Sequence, residues 1–163
     1  MITIRPATYN DLSEIMPIYN IARDFMRSTG NDSQWVNGYP TEQFISEEIK
    51  AGHSFVCENS NGEITGTFCF IIGEDPTYLK IYNGQWLNDE LYGTVHRIAS
   101  SGKDRGLAKA CFEWCFTQCP NIRVDTHRNN HVMQKILSNL EFQYCGIIYI
   151  SDGSERLAYQ KTI

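Results

Sequence analysis

Tyr92-Gly93-Thr94-Val95-His96-Arg97-Ile98-Ala99, then Ser100-Ser101-Gly102-Lys103-Asp104-Arg105-Gly106, then Leu107-Ala108-Lys109-Ala110-Cys111-Phe112-Glu113-Trp114-Cys115-Phe116-Thr117-Gln118, is the run that decides the fold. Its first part is rich in β-branched and aromatic residues and reads as a buried strand. The middle is small, polar and charged, and the last part repeats apolar residues at helical spacing. A strand therefore delivers a loop to the first turn of a helix. There the unpaired backbone N–H groups and the positive end of the helix dipole can hold an anion. Gly102 and Gly106 allow close approaches that a Cβ would block, and Lys103 and Arg105 add positive charge. The same stretch also reads as an ordinary β-to-α turn.

Upstream, Ile2 to Arg5 alternates as a short strand that Pro6 breaks. Thr8 or Asn10 can cap a helix carrying Leu12, Ile15, Met16, Ile18, Tyr19, Ala22, Phe25 and Met26. Pro17 inside that pattern either kinks the helix or delays its start. Ser28 to Pro40 reads as a loop with two large aromatics, Trp35 and Tyr39. Thr41 to Ala51 is a second helix stopped by Gly52. His53 to Glu58 and Ile64 to Ile72 form strands joined at Asn61-Gly62, a hairpin signal. Gly73 to Leu91 has no clean period, and is either a lid or a loop with a short helical piece. Downstream come a strand at Ile122 to Thr126, a helix at Asn130 to Leu140, and a terminal hairpin of Gln143 to Ile150 with Glu155 to Lys161 around Asp152-Gly153.

The order β-α-α-β-β-β-α-β-α-β-β fits one mixed α/β sheet with helices on both faces. At 163 residues, 42% of them hydrophobic, the chain suits a single domain spanning 1–163. A formal charge of −5 gives no average attraction to nucleic acid. No charged-then-apolar leader and no long apolar run is present, so the reading is cytoplasmic, with no membrane partner. The six cysteines include no Cys-x-x-Cys pair and lie mostly within apolar strand or helix patterns, which points to reduced core thiols rather than a metal site.

Lys103-Asp104-Arg105-Gly106-Leu107-Ala108 resembles the Arg/Gln-x-x-Gly-x-Gly/Ala signature of the GCN5-related N-acetyltransferases, the GNAT family. Asn121 to Asn130 and Met133 to Phe142 resemble that family's fifth strand and the helix after it, so the likeness runs through nearly the whole chain in order. It implies a mostly antiparallel mixed sheet and an enzyme moving an acetyl group from acetyl-CoA to a primary amine of a small-molecule or peptide acceptor. It implies no metal and leaves a homodimer open. The loop Lys103 to Ala108 would wrap the cofactor pyrophosphate. Arg97, Ile98 and Ala99 would offer backbone groups to the pantetheine arm between splayed fourth and fifth strands. Asn130 is either a cofactor contact, a helix cap, or both.

An amine attacks a thioester only when neutral, so a base must take its proton, and an oxyanion needs an N–H donor. His96 lies on the fourth strand and by alternation shares a face with Tyr92, Thr94 and Ile98. A hydrogen-bonded core histidine is the alternative. His127 and His53 are weaker candidates. Trp35 and Tyr39 either overhang the acceptor site, as the resemblance implies, or pin their loop to the core.

The family's last large helix reads Asn-x-x-Ala-x-x-Leu-Tyr-x-x-x-Gly-Phe, with the tyrosine as proton donor to the thiolate. Here Leu137 stands at that tyrosine and Glu141 at that glycine, so Tyr144, Tyr92 or water would have to substitute. A catalytically weak acyl-CoA-binding module is the alternative function. A nucleotide-binding protein fits poorly, because Gly-x-x-x-x-Gly-Lys-Ser/Thr and Gly-x-Gly-x-x-Gly are both missing.

Overall fold

Val56 and Cys57 are adjacent in sequence and both fully buried, and they pack into different cores. A strand residue points to the face opposite its neighbour's, so this strand has helices on both sides. The computed structural model describes residues 1–163. In chain order the elements are β1 (Thr3–Pro6), a 3-10 turn at Tyr9–Asp11, α1 (Leu12–Ser28), α2 (Glu42–Lys50), β2 (Ser54–Glu58) and β3 (Ile64–Ile72). After a second 3-10 turn at Pro76–Tyr78 come β4 (Gly93–Ser100), α3 (Leu107–Gln118), β5 (Asn121–Thr126), α4 (His131–Asn139), β6 (Gln143–Tyr149) and β7 (Glu155–Thr162).

The seven strands form one sheet in the order β1-β2-β3-β4-β5-β7-β6. Every neighbouring pair is antiparallel except β4 beside β5, which is parallel. One face carries a core that includes Phe68, Val95, Leu107, Phe112, Ile122 and Leu137, under α3 and α4. The other carries Ile15, Ile18, Tyr19, Trp35, Ile45 and Ala99, under α1 and α2. All six cysteines are free and buried, and Cys57 Sγ lies 3.5 Å from Cys111 Sγ inside the first core. No helix is long and apolar enough to cross a membrane.

Two irregularities in β4 shape the centre of the sheet. Cys69 is opposite His96 and Thr67 is opposite Ala99, so three steps on β4 match two on β3. The extra residue is a bulge, and Arg97 there adopts φ +56°. Alternation therefore fails past His96. Ile98 packs on the α3–α4 core with Val95 rather than sharing a face with His96, and Ala99 turns to the α1–α2 core. The second irregularity lies between β4 and β5. Their pairing covers only Gly93 with Ile122 and Thr94 with Arg123. Beyond Thr94 the strands part, leaving the β5-facing edge of Val95 to Ala99 without a strand partner.

α1 begins at Leu12, ahead of Pro17, and continues through it to Ser28, so the proline does not delay the start. Residues 73–91 are a packed loop with one short helical piece. Tyr78 is buried with Tyr92, Ile148 and Ala158, Trp86 Nε1 donates to the Tyr78 carbonyl at 2.9 Å, and Tyr82 bridges to Ile147. Glu141, at the family's glycine, takes φ +66° just after α4, so the backbone keeps a glycine-like shape on a residue that tolerates it poorly.

Candidate active site

The parted strands open into a cavity of about 520 Å³. Val95, His96, Arg97 and Ile98 of β4 line one side, and Val124, Asp125 and Thr126 of β5 the other. Trp35 and Tyr39 descend from the α1–α2 loop, Asp75 and Thr77 from the 73–91 loop, and Asn130 and Met133 from α4.

His96 Nε2 lies 3.2 Å from Asp75 Oδ2. Asp75 is itself set by Thr77, whose N–H and hydroxyl donate to Oδ1 at 2.9 and 2.7 Å. Burial alone would raise the Asp75 carboxyl, but the bonds from His96 and Thr77 outweigh it and hold the group below its ordinary value. An ionised carboxylate only accepts, so in a neutral imidazole Nε2 carries the proton and the Nδ1 lone pair is left to take one. Asp75 sits in the least readable part of the sequence.

Arg97 reaches the α1–α2 side. Its Nη1 donates to the Tyr39 hydroxyl at 2.9 Å and its Nη2 to Glu48 Oε2 at 3.2 Å, and its guanidinium lies 4.7 Å from the centre of the Phe44 ring. Glu48 also accepts from the Cys69 thiol at 2.9 Å, and burial pushes that thiol up to about 12, so it stays a donor. Sequence reasoning assigned Arg97 by backbone alone and missed Glu48. Glu48 lies on α2 one turn after Phe44, on the same face as its apolar stripe, and a charge on that face was its only signal.

Trp35 is buried against Tyr19, ring centroids 5.6 Å apart, and also lines the cavity. Tyr39 packs on Phe44 at 5.5 Å. Each side chain thus both pins its loop and walls the cavity. Asn130 caps α4 by accepting from the Met133 N–H at 3.0 Å, and its Nδ2 donates to Gln34 Oε1 at 3.0 Å. Gln34, another residue the sequence did not flag, also accepts from Asn31 at 3.0 Å and so ties the α1–α2 loop to the start of α4.

Two expected participants lie elsewhere. Tyr92 is buried in the third core, and its hydroxyl accepts from the Asp75 N–H at 2.7 Å. Tyr144 is half exposed on the edge strand β6, against Tyr159. Neither lines the cavity, because β4 turns Tyr92 beneath the 73–91 loop and β6 is separated from β4 by β7 and β5. Ala99 is buried in the α1–α2 core, so only its backbone faces the parted strands. His53 and His127 also lie outside the cavity lining. The phenol that does line it is Tyr39, while Leu137 is fully buried in the α3–α4 core.

Past Ile98, β4 runs into the loop and α3. Helix α2 caps its first turn with the Thr41 hydroxyl and α4 with Asn130, but α3 starts from Gly106, at φ +73°, with no side-chain cap. The N–H groups of Asp104, Arg105, Gly106, Leu107, Ala108 and Lys109 meet no acceptor in the protein. A Cβ built on Gly106 has nothing within 4 Å, so the space before these donors is open. Leu107 seats the turn on the sheet: a Cβ on Gly66 would come within 2.4 Å of its Cδ1. Lys103 is held outward by Glu63 Oε2 at 3.0 Å, Arg105 is exposed, and Asp104 keeps Oδ2 shielded with no partner. No three His, Cys, Asp or Glu side chains gather as metal ligands.

No family sequence model matches the chain, and no curated protein matches it. Solved structures do. An acetyltransferase of the GNAT family from Streptococcus agalactiae 2603 is 38% identical, with 99% of this chain and 95% of that one covered and a TM-score of 0.90. A GNAT-family acetyltransferase from Listeria monocytogenes 4b F2365 is 19% identical over 99% of this chain and 95% of its own, TM-score 0.73. An N-acetyltransferase from Staphylococcus aureus Mu50 is 18% identical over 99% and 98%, TM-score 0.63. These last two share the fold, whereas the first is close enough in sequence over its whole length to fix the family. With that relationship, the parted central strands and the uncapped glycine start of α3, the chain belongs to the GNAT family of acetyltransferases.

Proposed function

We propose that the protein transfers an acetyl group from acetyl-CoA to a primary amine of a small-molecule or peptide acceptor. The observation that carries this reading is the pairing of an anion-ready helix start, six N–H groups without an acceptor, with a strand edge left open along Val95 to Ala99. A pyrophosphate fits the first, since it needs donors and room, and Gly106 leaves both. An extended amide-bearing arm fits the second. Residues Asp104 to Ala108 would hold the phosphates by backbone, Arg97 to Ala99 the arm, and Asn130 would border it. When bound, acetyl-CoA would supply an acetyl group activated as a thioester.

His96 then takes the acceptor proton at Nδ1 while Asp75 steadies the imidazolium through Nε2. Trp35 and Tyr39 hold the acceptor side. Tyr39, whose oxygen accepts from Arg97 and whose own proton remains free to donate, or water, would protonate the departing thiolate. The buried Leu137, lacking any hydroxyl, favours the second reading, a catalytically weak acyl-CoA-binding module. Mixing the protein with acetyl-CoA and a panel of primary amines, and following free thiol, separates the two. Amine-dependent release supports transfer, and tight coenzyme A binding without release from any amine supports the module.

A further inference from the structure

Arg156 is a cation walled into the cavity without a salt bridge to any carboxylate. It lies on β7, is 5% exposed, and lines the cavity. Its hydrogen bond runs from Nη1 to the carbonyl of Glu155, its own chain neighbour, at 2.9 Å. The neighbouring carboxylates are all engaged elsewhere. Glu155 pairs with Arg128 at 2.9 Å, Asp152 accepts from Ser154, Asp125 accepts from the Tyr78 hydroxyl at 2.6 Å, and Asp75 faces His96.

The other two shielded arginines show what compensation looks like here. Arg97 has Glu48. Arg123 is sandwiched 4.2 Å from the Trp86 ring centre and 4.1 Å from that of Tyr92, and donates to the Asn88 carbonyl at 2.7 Å. Arg156 has no aromatic face and no salt bridge: Asp152, on the same cavity wall, feels its charge, but that carboxylate is held mainly by Ser154. A guanidinium keeps its proton even when buried, and a buried charge without a partner is costly. An arginine left in this state beside a cavity is matched by an anion that arrives with the ligand. Its planar fork suits a carboxylate best, through two parallel N–H bonds.

Resting on the acetyl-transfer reading, we propose that the acceptor is a small amino carboxylate, whose amine lies against the His96–Asp75 pair and whose carboxylate pairs with Arg156. Both groups line the one 520 Å³ cavity, so the amine and the anion belong to one small molecule. The balance is that of amide formation. The amine nitrogen bonds to the acetyl carbon as the carbon–sulfur bond breaks, and the proton lost by the amine ends on the thiol. The products are an N-acetylamino carboxylate and free coenzyme A.

The test compares free amino acids with their primary carboxamides as acceptors, by thiol release. Wild type should favour the acids by about 10- to 100-fold in kcat/KM, the range of one hydrogen-bonded ionic contact. Arg156→Gln should bring that ratio close to one, and Arg156→Lys should keep part of it. A second readout needs no turnover: an N-acetylamino acid should raise the melting temperature of wild type but not of Arg156→Gln, with both melts showing a folded protein. Carboxamides served as well as acids by wild type, equal loss of both substrates in Arg156→Gln, or no melting shift with any N-acetylamino acid would each overturn the proposal. If amines without a carboxylate are acetylated freely, acetyl transfer stands and only this assignment falls. If coenzyme A does not bind at all, both fall.

Discussion

The start of α3, beyond the loop that follows β4, and the wall around His96, midway along β4, are made differently. At the helix start, one continuous run from Asp104 to Lys109 presents backbone N–H groups, and the side chains around it turn away: Leu107 into the core, Lys103 to Glu63. Around His96 the backbone matters less. Side chains from the α1–α2 loop, the 73–91 loop, β4, β5 and β7 converge there, and key ones are held by partners distant in sequence, as Asp75 holds His96 and Glu48 holds Arg97. A site made of consecutive backbone is robust to most side-chain changes and sensitive to what blocks or repels its ligand. A site made of converging side chains fails one residue at a time.

The largest expected effect therefore belongs to a single side chain. His96→Gln should lower kcat by about 100-fold or more, the scale of a lost general base, while coenzyme A affinity stays near that of wild type. Steady-state kinetics read beside calorimetry tests this, and an equal loss of affinity would erase the distinction between the two regions. Trp35→Ala comes next, because Trp35 is both wall and core. It should cost about 3–5 kcal/mol of stability and raise the acceptor KM, measured by denaturant unfolding and by kinetics on the folded fraction.

The smallest effect is expected where neither region is touched. Asp11 accepts from Arg5 at 2.8 Å, and that bond, against the cost of burial and with help from Thr8, holds its carboxyl at about 2. A depressed carboxylate pKa stabilises the fold above the unfolded value and loses that contribution as pH falls through the folded one. Asp11→Asn should therefore melt earlier than wild type at neutral pH. The gap should close as the pH is lowered from about 4 towards about 2, with the coenzyme A affinity of the folded protein unchanged throughout.

The same contrast explains what could be read from the sequence. The loop was legible because consecutive residues carry it: glycines, small polar residues and a strand-to-helix change of period. The element order and the Asn61-Gly62 and Asp152-Gly153 hairpins were legible for the same local reason. The wall was not. Asp75 lies in a loop whose burial depends on Tyr92, Ile148 and Ala158, far along the chain, and Arg156 sits in an edge hairpin that looks unremarkable until β7 is placed beside β5. The bulge at Arg97 was hidden as well. Strict alternation along Val95-His96-Arg97-Ile98-Ala99 puts Ile98 on the face of His96. Although the two adjacent polar residues depart from an apolar–polar alternation, only the register against β3 shows the extra residue. Tyr92 lies under the 73–91 loop, and β7 and β5 keep Tyr144 from the cavity.

The most direct test of the central claim compares two ligands on two proteins by calorimetry: coenzyme A and pantetheine, which lacks the pyrophosphate, titrated into wild type and Gly106→Asp. The substitution puts a carboxylate before the free N–H groups, at a φ that disfavours a Cβ. Wild type should bind coenzyme A far more tightly than pantetheine. Gly106→Asp should lose about tenfold or more of its coenzyme A affinity while binding pantetheine as wild type does. A folded Gly106→Asp protein that binds coenzyme A as tightly as wild type would contradict the account.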